Sequence, residues 1–113
     1  MSCLFCKLAK GEINIDIVYD DDEIIAFRDI NPQAPHHILV IPRRHIATVN
    51  DARPEDTALI GKLTLTAQQV AKELDVANDG YRLVMNCNNH GGQTVFHIHL
   101  HLLAGRPMHW PPG

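Results

Sequence analysis

Three histidines alternate with apolar residues late in the sequence, in a spacing that suggests catalytic chemistry. His97, His99 and His101 lie in residues 93–103, where the intervening positions are aliphatic or aromatic. A period of two predicts a half-buried β-strand, with the imidazoles on one face and the apolar side chains in a core. Imidazole is nucleophilic near neutral pH, and a neighbouring imidazolium can neutralise a phosphate or protonate a leaving group. We therefore interpret this face as a site of nucleophilic catalysis by histidine.

Two other interpretations of the histidine segment stay open at this stage. The face could be a solvated strand surface, or its His-x-His spacing could chelate zinc, which takes tetrahedral nitrogen or sulfur ligands. The preceding loop, residues 88–94, contains Gly91 and Gly92. Glycines let backbone N–H groups approach a ligand closely, so this loop beside the histidines favours phosphate chemistry.

A second group of potential ligands lies near the start of the sequence. Cys3 and Cys6 form a C-x-x-C motif, and His45 follows Pro42-Arg43-Arg44. The two cysteines could bind a metal or could be buried thiols on a short helix, and we expect Cys87 to pack in the interior. An odd number of cysteines, without an export signal, favours reduced thiols in a cytoplasmic protein.

Hydrophobic periodicity predicts the elements that must position these residues. One long helix is expected from residue 53 to residue 74, because Pro54 and two acidic residues suit a first turn and a 3.6-residue apolar stripe follows. A short helix is expected over residues 2–10, with Ser2 as N-cap and Gly11 beyond its end. Strands are predicted at residues 17–19, 24–28, 36–41, 81–86 and 93–103. This order predicts a single α+β domain, residues 1–113, built on an antiparallel sheet of about five strands.

Composition limits the classes of function. Apolar residues make up 45 % of the 113 residues and charged residues 20 %, as in an ordinary globular domain. A net charge of −3 argues against a general binder of nucleic acid or anionic membranes. No apolar run approaches the 18 or so residues of a transmembrane helix. We therefore expect neither a nucleic-acid partner nor a membrane partner.

The sequence resembles the histidine triad superfamily of nucleotide hydrolases and transferases. His97-Ile98-His99-Leu100-His101-Leu102-Leu103 is similar to the alternating histidine signature of that superfamily, and nearly the whole chain is similar to its Hint branch. The similar stretches are Ile17-Val18-Tyr19-Asp20-Asp21, Phe27-Arg28-Asp29-Ile30, Pro32-Gln33-Ala34-Pro35, Leu39-Val40-Ile41-Pro42, Gly80-Tyr81-Arg82, Gly91-Gly92-Gln93 and Met108-His109-Trp110-Pro111-Pro112-Gly113. The resemblance implies a phosphoramidase that cleaves purine nucleoside 5′-phosphoramidates, such as AMP or GMP conjugates, to the nucleoside monophosphate and an amine.

The resemblance also implies catalytic roles. His99 would attack phosphorus and form a nucleotidyl-histidine, His101 would contact the phosphate, and His97 would orient the strand. His37 matches the fourth histidine that the family packs beside the triad. On sequence alone His37 could equally be a satisfied core histidine, because it shares a strand face with Leu39 and Ile41.

The substrate contacts that the resemblance implies lie in three regions. Asp29 would accept hydrogen bonds from the ribose hydroxyls, and Ile30 would pack against the nucleoside. The residues expected around the phosphate and leaving group are Asn86, Gly92, Gln93, Thr94, His99 and His101. Without the family, Asp29 could be a turn residue and Asn86 an ordinary strand-end residue. The Hint pattern often has serine at the position of Thr94, so leaving-group preference is less determined here.

Some bacterial members of the superfamily bind a structural zinc, and the same positions exist in this chain. The ligands would be Cys3, Cys6, His45 and His97, a set suited to a closed tetrahedral site. Catalysis itself is expected to need no cofactor, since neither a Walker-type Gly-Lys pair nor an acidic magnesium cluster is visible in the sequence.

The C-terminal tail, residues 104–113, bears on assembly. Its three prolines exclude a helix or a central strand, and Met108 and Trp110 are too apolar for a free end. Hint proteins are homodimers whose tail reaches toward the partner's site, which implies a homodimer with a sheet extended across it and adds Trp110 to the substrate contacts. Packing of Trp110 within its own chain is the alternative.

Three other functions compete with the phosphoramidase. The chain could be a non-catalytic nucleotide-binding or interaction module, or a zinc-binding structural protein. It could also hydrolyse dinucleoside polyphosphates, as in the Fhit branch of the superfamily, although the Hint-like tail argues against that branch.

Overall fold

A computed structural model describes residues 3–113, so the Ser2 cap lies outside the described residues. Its helices and strands are α1 (Leu4–Ala9), β1 (Ile17–Asp20), β2 (Ile24–Arg28), β3 (His36–Pro42), α2 (Thr57–Glu73), β4 (Tyr81–Val84), α3 (Asn88–Gly91) and β5 (Leu100–Ala104). The strands form one sheet in the order β1-β2-β3-β5-β4, and every neighbouring pair is antiparallel. The predicted α+β class, with five antiparallel strands, one long helix and a short N-terminal helix, is confirmed.

The two faces of the sheet are covered by different elements. The face against α2 carries the larger core, formed by Ile24, Ala26, Ile38, Val40, Ile98, Leu100 and Leu102 with Leu63, Ala67 and Val70 of the helix. The opposite face packs Ile25, Phe27, Leu39 and Ile41 against Phe5 and Leu8 of α1. Because α1 has only six residues, it covers part of that face and leaves the rest available for a site.

The long helix begins as its sequence predicts. A single 3₁₀ turn, Pro54–Asp56, leads into α2, and the Asp56 carboxylate accepts a hydrogen bond of 2.9 Å from the backbone N–H of Arg53. This bond satisfies one of the N–H groups that a helix start leaves without an intrahelical partner. Among residues 3–113, no helix is long and apolar enough to cross a membrane.

The histidine segment is a strand over only part of its predicted length. Pairing with β3 starts at Leu100, opposite Val40, whereas residues 93–99 lie outside the sheet ladder. Pro42 ends β3, and its carbonyl is hydrogen-bonded to the His97 ring instead of to a strand N–H. The alternation nevertheless persists, since Ile98 and Leu100 point into the α2 core. The prediction of a continuous strand over residues 93–103 was therefore wrong, but the facing of its side chains was correct.

Two further boundaries differ from the sequence prediction. β4 ends at Val84, so that Asn86 follows the strand instead of belonging to it. The glycine loop contains one helical turn, Asn88–Gly91, which Gly92 ends with a φ of +77°. That left-handed conformation favours glycine, because a side chain there would be strained.

Candidate functional site

His99 is held in one tautomer by the backbone. Its Nδ1 lies 2.8 Å from the carbonyl oxygen of His97 and must donate to it, because a carbonyl can only accept. In the neutral ring the lone pair is then on Nε2, which has no hydrogen-bond partner within residues 3–113. The Phe5 ring packs edge-on against the same imidazole at 5.1 Å between centroids. His99 is thus a buried, oriented histidine with a free lone pair.

His101 is oriented by a chain that starts at a backbone amide. The N–H of Gln33 donates to His37 Nδ1 at 3.0 Å, which leaves the proton of the neutral His37 ring on Nε2. His37 Nε2 lies 2.9 Å from His101 Nδ1 and donates to it. His101 therefore carries its own proton on Nε2. Asp29 Oδ2 lies 3.6 Å from His37 Nε2 and adds a negative charge beside this chain.

Burial keeps His37 and His101, the two histidines of this series of hydrogen bonds, neutral in the free protein. Loss of solvent lowers the pKa of His37, and the nearby Asp29 carboxylate only partly offsets that effect. The pKa of His101 is lowered to about 4, mainly by burial and further by the neighbouring His99 and His37 rings. Near neutral pH the Gln33 N–H therefore determines which nitrogen of His37, and in turn which nitrogen of His101, carries the proton, while both rings stay uncharged.

The histidines open onto a cavity of about 490 Å³ beneath α1. Its apolar lining residues include Leu4, Phe5, Leu8, Ile13, Ile15, Phe27 and Leu39. Its polar lining residues include Asp29, Asn31, Gln33, His37, Thr94, His99 and His101. A volume of this size is within the range of small-molecule sites, and the combination of apolar and polar groups suits a ligand that has a flat apolar group and a phosphate.

Three of the predicted substrate contacts line the cavity besides the histidines, namely Asp29, Ile30 and Thr94. The Asp29 carboxylate also accepts a hydrogen bond from the N–H of Asn31 at 2.9 Å. Asp29 therefore lies at the cavity, as predicted for a ribose contact, and also stabilises a turn, which was the alternative role. Ile30 is 93 % exposed and lies at the mouth.

The remaining predicted contacts lie outside the cavity lining of this chain. These residues are Asn86, Gly92, Gln93 and Trp110. The Gln93 side chain is buried and bonded to the backbone, donating to the Ala47 carbonyl at 2.8 Å and accepting from the Asn88 N–H at 2.9 Å. It therefore fixes the loop between β4 and the histidine segment.

The C-terminal tail leaves its tryptophan exposed. Trp110 is 84 % exposed, so the alternative of packing within the chain is not observed. The preceding residue is held, because Arg82 donates to the His109 carbonyl at 2.7 Å.

Phe5, Leu8, Ile13 and Ile15 are cavity residues that sequence reasoning did not assign to the site. Their apolar spacing predicted a short helix and an alternating segment, which indicates burial but not a ligand. Gln33 was also missed as a positioning residue, because it acts through its backbone N–H, which every residue except proline has.

The predicted metal ligands meet around the ring of His97. The ligand atoms of Cys3, Cys6, His45 and His97 all lie within 4.8 Å of one another. His97 Nδ1 is 3.5 Å from each of the two sulfurs and 3.2 Å from His45 Nδ1, and the Cys6 sulfur is 3.4 Å from His45 Nδ1. A tetrahedral zinc with usual bond lengths separates two nitrogens by about 3.3 Å and a nitrogen from a sulfur by about 3.5 Å. The cluster therefore has the dimensions of a zinc site.

The protonation of the cluster also suits a cation. His97 Nε2 donates to the Pro42 carbonyl at 2.7 Å, which leaves the Nδ1 lone pair facing the cysteines, as a metal ligand requires. Burial and the neighbouring Cys3 raise the pKa of the Cys6 thiol. A bound cation would stabilise the thiolates that this environment otherwise disfavours.

Comparisons with known proteins identify the family of this chain. A model of the HIT domain matches residues 10–108. A purine nucleoside phosphoramidase of Escherichia coli is 53 % identical over 105 residues, covering 93 % of this chain and 88 % of that protein. The crystal structure of a HIT family hydrolase from Legionella pneumophila superposes with a TM-score of 0.97 at 54 % identity, covering 99 % of this chain and all of that one.

One solved relative is described as zinc-bound. It is a histidine triad family protein from Mycobacterium smegmatis, which superposes with a TM-score of 0.79 at 34 % identity over 94 % of this chain and 76 % of that one. Since the family model covers most of the chain and the relatives match nearly all of it, this protein belongs to the HIT domain family.

Proposed function

We propose that this protein hydrolyses the P–N bond of purine nucleoside 5′-phosphoramidates through a nucleotidyl-histidine intermediate on His99. The observation that carries the proposal is the 2.8 Å hydrogen bond from His99 Nδ1 to the His97 carbonyl, which leaves the Nε2 lone pair available at a residue that lines the cavity. The name of the Escherichia coli relative, a purine nucleoside phosphoramidase, supports the same substrate class.

The reaction takes place as two displacements at phosphorus. In the first, His99 Nε2 attacks, the P–N bond breaks, and the amine leaves with the bonding electron pair and the Nε2 proton of imidazolium His101, which becomes a neutral imidazole. In the second, water attacks phosphorus, His101 takes up the water proton, and the P–Nε2 bond breaks to release the nucleoside monophosphate. The phosphate anion raises the pKa of His101 from its value of about 4 in the free protein, so substrate binding favours the imidazolium form that supplies this proton.

The apolar part of the cavity holds the purine and Asp29 receives the ribose hydroxyls. The Asp29 carboxylate has two oxygens, so one can bond the Asn31 N–H while the other faces the ligand. The aliphatic and aromatic walls present little hydrogen-bonding capacity to the base edge, and both AMP and GMP conjugates are accepted. Thr94 supplies a hydroxyl near the phosphate end.

Zinc binds at Cys3, Cys6, His45 and His97 in this proposal, where it fixes ligand positions and takes no part in bond breaking. The division of the triad follows: His97 is a metal ligand, His99 the nucleophile and His101 the proton donor. Magnesium is not required, because the positioned imidazoles supply the nucleophile and the proton.

We also retain the homodimer and the cytoplasmic location as predictions. β4 is an edge strand whose four residues are all half-buried, which suits extension of the sheet to a second copy. Trp110 and Ile30 are both highly exposed, as expected for residues that a partner covers. Light scattering after gel filtration tests the assembly, and a monomer at all concentrations would contradict it.

The decisive experiment follows AMP release from adenosine 5′-phosphoramidate by wild type and by His99→Ala, with and without magnesium. We expect release by wild type alone, unaffected by magnesium. His36→Ala is the matched control, since that histidine neighbours His37 on β3 but lies outside the cavity lining and contacts Arg28. It should retain wild-type turnover.

Other outcomes identify the competing functions. Wild type that binds AMP but releases none from the phosphoramidate would be a non-catalytic nucleotide-binding module. Faster cleavage of a dinucleoside polyphosphate than of the phosphoramidate would place the activity with the other hydrolases of the superfamily.

A further inference from the structure

α1 borders both the metal cluster and the nucleotide cavity. Cys3 caps its first turn and Cys6 lies within it, and both sulfurs face His97. Leu4, Phe5 and Leu8, which are interleaved with these cysteines, line the cavity. A shift of this one helix therefore changes the metal ligands and the cavity wall together.

Phe5 forms a direct contact between the two sites. Its ring is only 5 % exposed and packs edge-on against His97 at 6.0 Å and against His99 at 5.1 Å. Edge-on aromatic pairs at such distances have a preferred geometry, so the position of Phe5 restricts the ring of the nucleophile. Because Phe5 lies between Cys3 and Cys6 in the sequence, metal ligation on both sides of it restricts Phe5 in turn.

His97 forms a second connection through its own backbone. Its ring belongs to the metal cluster and donates to the Pro42 carbonyl at 2.7 Å. Its carbonyl oxygen accepts the hydrogen bond that sets the tautomer of His99. Coordination that fixes the ring of His97 thus also fixes the peptide group that orients His99.

α1 also needs an anchor from outside itself. Isolated helices shorter than about 12 residues are marginal in water, and α1 spans six. Its anchors in the fold are the packing of Phe5 and Leu8, one hydrogen bond of 2.6 Å from Arg43 to the Ala9 carbonyl, and the two cysteines of the cluster. Loss of the cysteine anchor frees the first turn, which carries the cavity wall.

We propose that a metal bound at Cys3, Cys6, His45 and His97 is thermodynamically linked to nucleotide binding, with Phe5 and His97 as the positioning residues that connect the two sites. The inference rests on the proposed function in that a nucleotide occupies the cavity and zinc the cluster. Linkage is reciprocal, so zinc increases the affinity for nucleotide by the same factor by which nucleotide increases the affinity for zinc.

Two binding measurements test the linkage without reference to turnover. Calorimetry with AMP compares the zinc-loaded protein with the chelator-stripped protein, and competition against a chromophoric chelator measures zinc affinity with and without saturating AMP. Coupling between sites is typically about 5- to 150-fold, and we expect a factor in this range that is equal in both measurements. Equal AMP affinity in the two metal states would overturn the proposal.

A variant that keeps all four ligands separates linkage from folding. Phe5→Leu should bind zinc with wild-type affinity and remain folded by circular dichroism, while its linkage factor falls toward one. If Phe5→Leu retains the full factor, Phe5 does not connect the sites and the proposal fails. Cys87→Ser is the matched thiol control, since Cys87 lies outside the cluster, and its linkage factor should equal that of wild type.

Failure of the proposed activity can be distinguished from failure of the linkage. If the protein shows the linkage but cleaves no phosphoramidate, this inference holds and the proposed hydrolase function fails. If the protein cleaves phosphoramidate but binds AMP with the same affinity in its zinc-loaded and stripped forms, the proposed function holds and this inference fails.

Discussion

Within residues 3–113, two clusters of potential metal ligands occur, and they differ in the backbone group that His97 in one and His37 in the other contacts. Cys3, Cys6, His45 and His97 form one cluster, and Asp29, His37 and His101 form the other. The first has its central ring hydrogen-bonded to a carbonyl, whereas the second has its central ring hydrogen-bonded to an amide N–H. That difference decides what each cluster can bind.

A carbonyl and an amide select opposite tautomers. The Pro42 carbonyl takes the proton of His97 on Nε2, so Nδ1 offers a lone pair to a cation. The Gln33 N–H occupies the lone pair of His37 Nδ1, so Nε2 must carry the proton of the neutral ring. A protonated nitrogen cannot be a ligand, and a metal at the second cluster would displace a buried backbone hydrogen bond. Proximity of ligand atoms alone would not distinguish the two clusters.

Loss of a cysteine ligand should give the largest effect. Wild type is expected to bind one zinc per chain, and Cys6→Ser should bind zinc more than about 100-fold more weakly, since even partners outside the coordination shell contribute 10- to 100-fold. Mass spectrometry gives the stoichiometry and chelator competition gives the affinity. A second zinc bound per chain at Asp29, His37 and His101 would contradict the proposed difference between the two clusters, because it would show that the hydrogen bond from Gln33 does not exclude a metal.

Removal of the central histidine of the other cluster should affect catalysis and leave metal content intact. His37→Phe lacks both the acceptor for the Gln33 N–H and the donor to His101, so His101 can rotate or change tautomer. We expect kcat to fall by about 100-fold, the lower end of the range for acid–base groups, with one zinc still bound.

Partial recovery in His37→Gln would separate positioning from packing. A glutamine amide has both an oxygen that accepts and an NH₂ that donates, whereas phenylalanine has neither. Equal kcat in the Phe and Gln variants would mean that His37 contributes only its volume.

Loss of the Asp29 charge should have a smaller effect that appears mainly in KM. Asp29→Asn keeps an oxygen for the Asn31 N–H but presents a neutral NH₂ group to the ribose hydroxyls, which donates to them instead of accepting from them. Hydrogen bonds to charged groups contribute about 1 kcal/mol more than neutral ones, which corresponds to a rise in KM of about fivefold. Steady-state kinetics with ribose and 2′-deoxyribose phosphoramidates check this, since the variant should narrow the difference between the two substrates.

Sequence periodicity determined most of the fold. Apolar runs at residues 24–28 and 36–41 predicted the two strands, and the period of two in residues 36–41 predicted which side chains share a face. In the structure each face is buried against a different core. The prediction of a strand failed at His97 and His99. Alternation indicates which side chains share a face, but it does not indicate whether a neighbouring strand is present to pair with. The proline at position 42 was the available signal that β3 ends there.

The site was predictable where a side-chain type carries the chemistry. The cysteine motif and the alternating histidines were identified from residue types, spacing and family resemblance, and the structure brings them together as two neighbouring groups. The tautomers were not predictable, since they depend on the backbone of Gln33, Pro42 and His97. Sequence likewise gave no reason to connect Phe5 with His99, because they are distant along the chain and meet only through α1.

The smallest expected effect concerns stability at acidic pH. The pKa of His101 is about 4 in the folded protein, against an ordinary value of 6.5. Between these values the unfolded chain binds a proton that the folded chain does not, so the free energy of unfolding falls as pH decreases from 6.5 toward 4. The pKa of the neighbouring His37 is lowered in the same direction, while the charge of Asp29 opposes both shifts.

His101→Gln removes one of these protons and should flatten the pH dependence. A single proton contributes at most about 1.4 kcal/mol per pH unit, and partial exposure of the ring keeps the difference below that limit. Urea denaturation of wild type and His101→Gln at pH 7, 6 and 5, with zinc saturating throughout, measures the difference between the two slopes. His90→Gln, which removes an exposed histidine on α3, should retain the wild-type slope. Parallel curves for wild type and His101→Gln would mean that folding does not lower the pKa of His101, and the conclusion that burial keeps its ring neutral would then be wrong.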